Sequence, residues 1–202
     1  MCREVEQAEA PAAQLVTICR EHGFSELLGW GYWVIGWAML ERHRVEEGLQ
    51  MMAEAMNLHE SIGGTVATPW GRGVLAEGYA KNNRLDDAQK ELRQAIDAAD
   101  QTGEHFFDAE LSRIAGEIAL RSDPRDQRAG ERNFRDAIMV AKQQEARLWE
   151  LRATVSLARL LCDTNRRDGA RSLLAEIYNW FSEGHELPDL SEAKALLDEL
   201  NR

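Results

Sequence analysis

The sequence predicts an all-α fold, an α-solenoid of antiparallel helical hairpins with about four repeats of ~40 residues and a further helix at each end. Two observations support this prediction: a spacing of small residues recurs along the chain, and the alternating pattern of Val, Ile and Thr that marks strands is missing. The recurring small residues are Gly36, Ala76, Gly116 and Ala158, at intervals of 40, 40 and 42 residues.

Each marked helix is followed by a second small residue that opens another helical pattern. These second residues are Gly48, Ala88, Gly130 and Ala170. Two antiparallel helices approach closely only where a side chain is missing at their crossing, so Gly36 is expected to face residues 48–52. Ala76 is expected to face residues 88–92 in the same way. One hairpin leaves an apolar flank uncovered, so neighbouring hairpins are expected to stack, with about nine or ten helices in all.

Proline and glycine mark the expected breaks between these elements. Pro69 stands at an expected helix start, where its missing amide proton costs little, Pro124 lies in the third repeat's turn, and Pro188 precedes the last expected helix. Gly63 and Gly103 lie just past second helices, where a left-handed residue ends a helix. The first predicted segment is an N-terminal helix in residues 1–24, for whose tail both an ordered and a disordered state stay open. Four repeats follow at 25–64, 65–104, 105–147 and 148–187, and a capping helix occupies residues 188–202.

Composition disfavours several classes of partner. The 202 residues include 24 Lys and Arg against 35 Asp and Glu, a formal net charge of −11. Such a chain lacks the field that attracts phosphate backbones or anionic lipid, so neither nucleic acid nor a membrane is an expected partner. Cys2, Cys19 and Cys162 are far apart in sequence, which favours reduced thiols. No signal-peptide pattern and no long uncharged apolar stretch occurs, so a cytoplasmic location is expected.

With the hairpins laid out, the repeats resemble tetratricopeptide repeats (TPR) lengthened by longer helices. Three stretches give a closer resemblance: AELSRIAGE at 109–117, ELRA and SLARL within 150–160, and IYNWFSEG at 177–184. They are similar to the C-terminal TPR region of bacterial signalling proteins that join a class III adenylate/guanylate cyclase domain or a DNA-binding domain to an AAA-type ATPase. The resemblance runs over roughly residues 23–200 and implies a regulatory or sensing tail. The chain has neither a GxxxxGK[ST] P-loop nor the cyclase metal-binding carboxylates, so the resemblance implies no ATPase or cyclase activity here.

The sharpest local feature is a row of tryptophans in the first repeat. Trp30, Trp33 and Trp37 fall within a sector of about 60° on a helix that turns ~100° per residue. Trp70 takes the position of Trp30 in the next repeat. In TPR-like arrays the outer face of the first helix lines a concave groove, which predicts a ligand-facing aromatic surface. The alternative is that residues 12–22, or a second copy of the chain in a homo-oligomer, cover the rings, because large exposed apolar patches are unusual on soluble monomers.

The same groove-facing positions of the later repeats hold charged residues. They are Glu77, Lys81, Glu110, Arg113, Glu117, Arg121, Arg152 and Arg159. A groove that is aromatic at one end and partly basic at the other suits a peptide with an apolar segment and acidic residues, since arginine pairs well with carboxylates. The alternative is that the charges pair along each helix, as Glu117 and Arg121 would at i,i+4, and only solvate it.

No pattern in the sequence indicates catalysis, a metal or a cofactor. The five histidines form no HxH, HxxxH or ExxH spacing, no GxSxG motif occurs, and the glycines of Gly71-Arg72-Gly73 are interpreted as a turn. The leading function is therefore a non-enzymatic scaffold that binds a protein or peptide. Its predicted binding residues are Trp30, Trp33, Trp37, Trp70, Glu77, Lys81, Arg113, Glu117, Arg152 and Arg159. The alternative is a small-molecule sensor whose groove closes on a metabolite and signals to an attached domain.

Overall fold

The structure is a computed structural model that describes residues 5–202, with the backbone alone for Glu6. The start of the predicted N-terminal tail, residues 1–4, lies outside the described residues. Ten α-helices and no strand occur in the described part. In chain order the helices are α1 (Val5–His22), α2 (Ser25–Glu41), α3 (Val45–Ser61), α4 (Thr68–Lys81), α5 (Leu85–Thr102), α6 (Asp108–Ser122), α7 (Gln127–Gln143), α8 (Arg147–Asp163), α9 (Arg167–Tyr178) and α10 (Pro188–Leu200).

The described residues form two compact units, an N-terminal unit of residues 5–105 and a C-terminal unit of residues 106–202. In the N-terminal unit α2 packs on α3 and α4 packs on α5, while α1 packs on α2 and α3 on α4. In the C-terminal unit α6 pairs with α7 and α8 with α9, and α10 packs on both α8 and α9. Helices packed in consecutive pairs confirm the predicted fold class, an all-α fold of repeated helical hairpins.

The marked small residues lie where the two helices of a hairpin cross. A Cβ added at Gly36 would lie 2.5 Å from Met52 Cγ and 2.9 Å from the carbonyl oxygen of Gly48. A Cβ at Gly48 would lie 2.7 Å from the carbonyl oxygen of Gly36. The prediction that Gly36 faces residues 48–52 is therefore confirmed, and the helices α2 and α3 approach backbone to backbone at this point.

Replacing Gly36 by alanine is expected to lower the free energy of unfolding by about 1–3 kcal/mol, because the new methyl group meets backbone that cannot rotate away. Gly169 is the matched control, since it lies in α9 and a Cβ there meets nothing within 4 Å. Gly169→Ala is expected to be neutral or to stabilise by up to about 1 kcal/mol through helix propensity. Urea unfolding of the two variants measures the difference. Equal midpoints would contradict the close approach of α2 and α3.

The turns inside three hairpins share one backbone conformation. His43, Asn83 and Asn165 each follow the first helix of a hairpin and have φ values of 61°, 59° and 58°. A left-handed residue other than glycine is uncommon, and asparagine and histidine are among the side chains that tolerate it best. The left-handed backbone of these turns therefore explains why each of the three hairpins has a histidine or an asparagine at this position.

The breaks between hairpins recur with the same period. Gly23, Gly63 and Gly103 follow α1, α3 and α5 with φ values of 74°, 73° and 74°. This confirms the left-handed helix ends predicted at Gly63 and Gly103. Because Gly23 precedes Gly63 by the repeat interval, α1 holds the place of the second helix of a hairpin. It packs on α2 as α3 packs on α4.

The last helix completes the core of the C-terminal unit. Leu190, Leu196, Leu197 and Leu200 of α10 are buried in one cluster that also includes Leu157 and Leu174 of α8 and α9. Pro188 occupies the first turn of α10, where a missing amide proton leaves no helical hydrogen bond unmade. The segment predicted as a capping helix is therefore a helix with a buried apolar face.

Candidate functional site

Trp33 lies in the core of the N-terminal unit. Its side chain is 0% exposed, and its ring lies 5.1 Å from the His59 ring of α3 and 5.8 Å from the Trp70 ring of α4, centroid to centroid. A Cβ at Gly71 would lie 2.6 Å from the Trp33 indole, so the missing side chain at Gly71 admits the ring. Gly71 lies inside α4, and the interpretation of Gly71-Arg72-Gly73 as a turn is wrong.

The cover over Trp33 comes from α3 and α4. Helix α1 instead packs beside the Gly31–Tyr32 position of α2. There, a Cβ on Gly31 would lie 2.6 Å from Val16, and Arg20 donates a hydrogen bond of 2.9 Å to the Tyr32 hydroxyl. Trp33 thus contacts Trp30 of its own helix, His59 of α3, and Trp70 and Gly71 of α4.

Trp30 and Trp70, the equivalent residues of two successive repeats, stack on one another. Their ring centroids lie 5.9 Å apart and the planes differ by 15°. Both side chains are half-buried, and each also contacts the Trp33 ring edge-on. Stacked and edge-on pairs of this kind add about 0.5–1.5 kcal/mol each beyond the burial of their area. The contacts among Trp30, Trp33 and Trp70 therefore stabilise the packing of α2 on α4, the first helices of two neighbouring hairpins.

A buried histidine closes this aromatic cluster. His59 Nε2 lies 3.0 Å from the Thr68 hydroxyl, whereas His59 Nδ1 and Trp33 Nε1 have no hydrogen-bond partner among the described residues. Burial lowers the pKa of His59, so the imidazole is neutral near pH 7. A Cβ at Gly64 would lie 2.5 Å from the imidazole, which shows how tightly the α3–α4 connection closes over it. Sequence reasoning did not single out His59.

The tryptophan row continues from this core into an open pocket at the other end of α2. We call it the Trp37 pocket. It has a volume of about 310 Å³ and lies between α2, the start of α3 and α4. Its walls include Trp37, Leu40 and Glu41 from α2, Val45 from α3, and Val74, Glu77 and Lys81 from α4. Trp37 is 8% exposed, so only a small part of its surface reaches the pocket.

One glycine, Gly78 of α4, is part of the wall of the Trp37 pocket. A Cβ at Gly78 would lie 2.8 Å from Leu40, so the absence of a side chain lets α4 close on α2 behind the pocket wall. Because Trp37 and Glu77 are forty residues apart, as are Glu41 and Lys81, the repeat itself places the four side chains at matching points of α2 and α4.

The charged groups of the Trp37 pocket converge on one point. Lys81 Nζ lies 3.6 Å from Glu41 Oε1 and 3.6 Å from Glu77 Oε1. Both distances exceed those of a strong charge-assisted hydrogen bond, and the Lys81 side chain is 47% exposed. Three predicted residues, Trp37, Glu77 and Lys81, therefore meet here. The sequence analysis missed Glu41, although its position one repeat before Lys81 was a usable signal.

The charged groove positions of the C-terminal unit have a different environment. Arg113 donates hydrogen bonds of 3.2 Å to Glu110, and both residues are buried. Arg152 lies 3.5 Å from the same Glu110 and makes a bidentate pair of 2.7 Å and 3.0 Å with Asp189 of α10. Charges of alternating sign thus connect α6, α8 and α10.

Burial alone would lower the pKa of Arg152, but the hydrogen bond with Asp189 and the attraction of Glu110 outweigh it, so the pKa is raised. The guanidinium therefore keeps its charge inside the unit. Arg113 and Arg152 were predicted to face a ligand, and the structure instead occupies them with carboxylates of the protein itself. Arg113 pairs along its own helix with Glu110, three residues before it, whereas the partners of Arg152 lie on α6 and α10, where a search along one helix does not reveal them.

The remaining predicted residues lie nearer the surface. Glu117, expected to pair with Arg121, accepts a hydrogen bond of 2.9 Å from the Ser156 hydroxyl of α8. Arg159 makes an exposed ion pair of 2.8 Å with Glu192 of α10. Exposed pairs of this kind contribute about 0–1 kcal/mol each. Among the ten predicted binding residues, the structure thus brings Trp37, Glu77 and Lys81 to one open pocket and spreads the others over core and surface contacts.

No known protein-family model matches the chain, and no curated protein sequence matches it.

In the described residues, no helix is long and apolar enough to cross a membrane, and no group of three His, Cys, Asp or Glu side chains is arranged to hold a metal ion. The Trp37 pocket offers apolar walls and a few charged groups, which is the chemistry of a binding site.

Proposed function

We propose that the chain is a non-enzymatic, TPR-like helical-repeat protein that binds a segment of another protein or peptide at the Trp37 pocket. One observation supports this proposal above the others: an aromatic ring, aliphatic side chains and charged groups from two neighbouring hairpins line one open pocket of about 310 Å³. Repeat proteins use neighbouring repeats to present such surfaces, because each repeat places equivalent side chains at equivalent points.

The size of the pocket suits one or two side chains of a partner. Peptide binding is typically dominated by a few anchor side chains that fill pockets, and tryptophan is enriched at such positions. Trp37, Leu40 and Val74 supply the apolar contact, while Glu41, Glu77 and Lys81 would fix the orientation of the anchor. The rest of the partner would lie along α2 and α4.

Random peptides displayed on phage and selected against the protein test this proposal. Trp37→Leu is expected to weaken the selected peptides by about tenfold, which is ~1.4 kcal/mol, because the aromatic wall is lost while the site stays apolar. Trp180→Leu is the matched control, since Trp180 is 57% exposed and lies in the C-terminal unit. Circular dichroism checks that each variant is folded, and Val74→Ala is a second, smaller change in the same pocket. Selected peptides that bind all these variants equally would refute the proposal.

The resemblance to TPR tails of signalling proteins gives the proposal its context. We infer a regulatory or sensing role in the cytoplasm, in which binding at the Trp37 pocket is passed to a signalling ATPase, cyclase or transcriptional regulator. An ATPase or cyclase domain encoded in the same reading frame would support this role. Self-association through the whole tryptophan row is less well supported, because Trp33, at the centre of the row, exposes 0% of its surface.

The second candidate is a small-molecule sensor. The volume of the Trp37 pocket lies at the lower limit of pockets that hold small ligands, about 300–1,000 Å³, and this observation favours it. A panel of metabolites and nucleotides followed by tryptophan fluorescence separates the two functions. A metabolite that shifts the emission of the wild type and not of Trp37→Leu would favour the sensor over the peptide-binding protein.

A further inference from the structure

The Trp37 pocket contains one ammonium group that lies between two carboxylates. Glu41 and Glu77 approach the same Lys81 ammonium group, each at 3.6 Å, so two negative groups surround one positive group. The carboxylates lie on different helices, and each is about a quarter exposed at the pocket wall. An ammonium group is therefore seated loosely at the point where both carboxylates converge.

We propose that the Trp37 pocket binds the lysine or arginine side chain of a basic partner segment. The inference rests on the proposed function and specifies its partner. The cation of the partner takes the position between Glu41 and Glu77 that Lys81 now holds, and Lys81 turns outward into solvent. The exposure of Lys81 on the surface of α4 makes this movement possible without any change of the backbone.

The walls of the pocket match the rest of such a side chain. The stem of a lysine or arginine side chain is apolar and packs on apolar surface while its charged end stays near water or a carboxylate. Leu40 and Val74 offer that surface. An acidic side chain would meet two carboxylates instead.

Charge on a larger scale favours the same partner. The chain has a net charge of −11, so its field attracts basic segments and repels acidic ones before contact. Two of the arginines that were expected to attract an acidic peptide are buried against carboxylates, Arg113 against Glu110 and Arg152 against Asp189, and Arg159 pairs with Glu192 at the surface. The main reason to expect an acidic partner is therefore gone, and the charges favour a basic partner instead.

Three phage-displayed peptide libraries that differ only in a fixed central residue, lysine, glutamine or glutamate, test the inference. The lysine library is expected to yield the tightest binders, and the glutamate library none. Against a selected lysine peptide, Glu77→Gln is expected to weaken binding about fivefold and Lys81→Met to strengthen it about fivefold, because the first removes an attracting charge and the second a competing cation. Added sodium chloride should weaken binding to the wild type.

Glu131→Gln is the matched control, because Glu131 lies on α7 of the C-terminal unit, is 19% exposed and pairs with Arg135 at i,i+4, as Glu77 does with Lys81. Its affinity for the lysine peptide should equal that of the wild type. Peptides that require Trp37 but bind Glu77→Gln and Lys81→Met unchanged, or that come equally from all three libraries, would overturn the basic partner and leave the proposed function intact. Libraries that yield no peptide dependent on Trp37 would overturn both.

Discussion

Replacing Asp189 by alanine is expected to lower the free energy of unfolding of the C-terminal unit by about 3–5 kcal/mol, the range found when one partner of a buried ion pair is removed. Asp189 is buried at the start of α10 and holds the Arg152 guanidinium with two hydrogen bonds of 2.7 Å and 3.0 Å. Without it, the buried guanidinium of Arg152 keeps the Glu110 carboxylate, at 3.5 Å, as a partner of opposite sign.

The cost is large because the charge cannot leave the protein. Arg152 stays ionised at any pH at which the protein folds, so it cannot lose its proton as a buried lysine would. The loss also reaches α10 directly, since an acidic side chain in the first turn interacts favourably with the helix dipole. Helix α10 and its buried leucines are therefore expected to detach first from the Asp189→Ala variant.

Asp198→Ala is the matched control for this prediction. Asp198 lies on the same helix, and its exposed ion pair with Lys194 at i,i+4 contributes about 0.3–0.5 kcal/mol. Urea unfolding followed by circular dichroism compares the two alanine variants with the wild type. If both shift the midpoint by the same small amount, the chain of charges through α6, α8 and α10 does not hold α10 in place.

Most of the fold could be predicted from the sequence because its determinants are local. Helical periodicity, and a small residue where two neighbouring helices cross, are visible within about forty residues, as Gly36 and Gly48 show. The repeat also indicated part of the candidate site. Once the groove-facing positions of α2 were known, the same positions one repeat later gave Glu77 and Lys81.

The rest of the site depends on contacts that span the sequence. The Arg152–Asp189 pair joins residues 37 apart and exists only because α10 docks on α8. Whether Trp33 points outward or inward depends on the glycine that faces it from α4, and one helix considered alone does not contain that information. Pattern analysis located the tryptophan face of α2 and could not distinguish a covered ring from an open one.

Trp33→Ala is expected to lower the free energy of unfolding of the N-terminal unit by about 3–5 kcal/mol, the usual cost of truncating a fully buried aromatic side chain. The substitution removes the ring that contacts His59, Trp30 and Trp70, and it leaves a cavity over Gly71. The cavity can close only in part, because the other core residues of α2, α3 and α4 keep the three helices at their present spacing. The prediction therefore tests whether Trp33 belongs to the core or to a contact surface.

Trp180→Ala is the control, because it shows how much stability is lost when an exposed tryptophan, rather than one in the core, is truncated. Trp180 is exposed and contacts Phe181 and the Arg147 guanidinium, which lies 5.3 Å from the ring centre, so its loss should cost about 1 kcal/mol or less. Urea unfolding of both variants gives the comparison. A Trp33→Ala protein as stable as Trp180→Ala would mean that the ring is not enclosed by α3 and α4. In that case the whole row from Trp30 to Trp37, and not only its open end at Trp37, would again be a candidate binding surface.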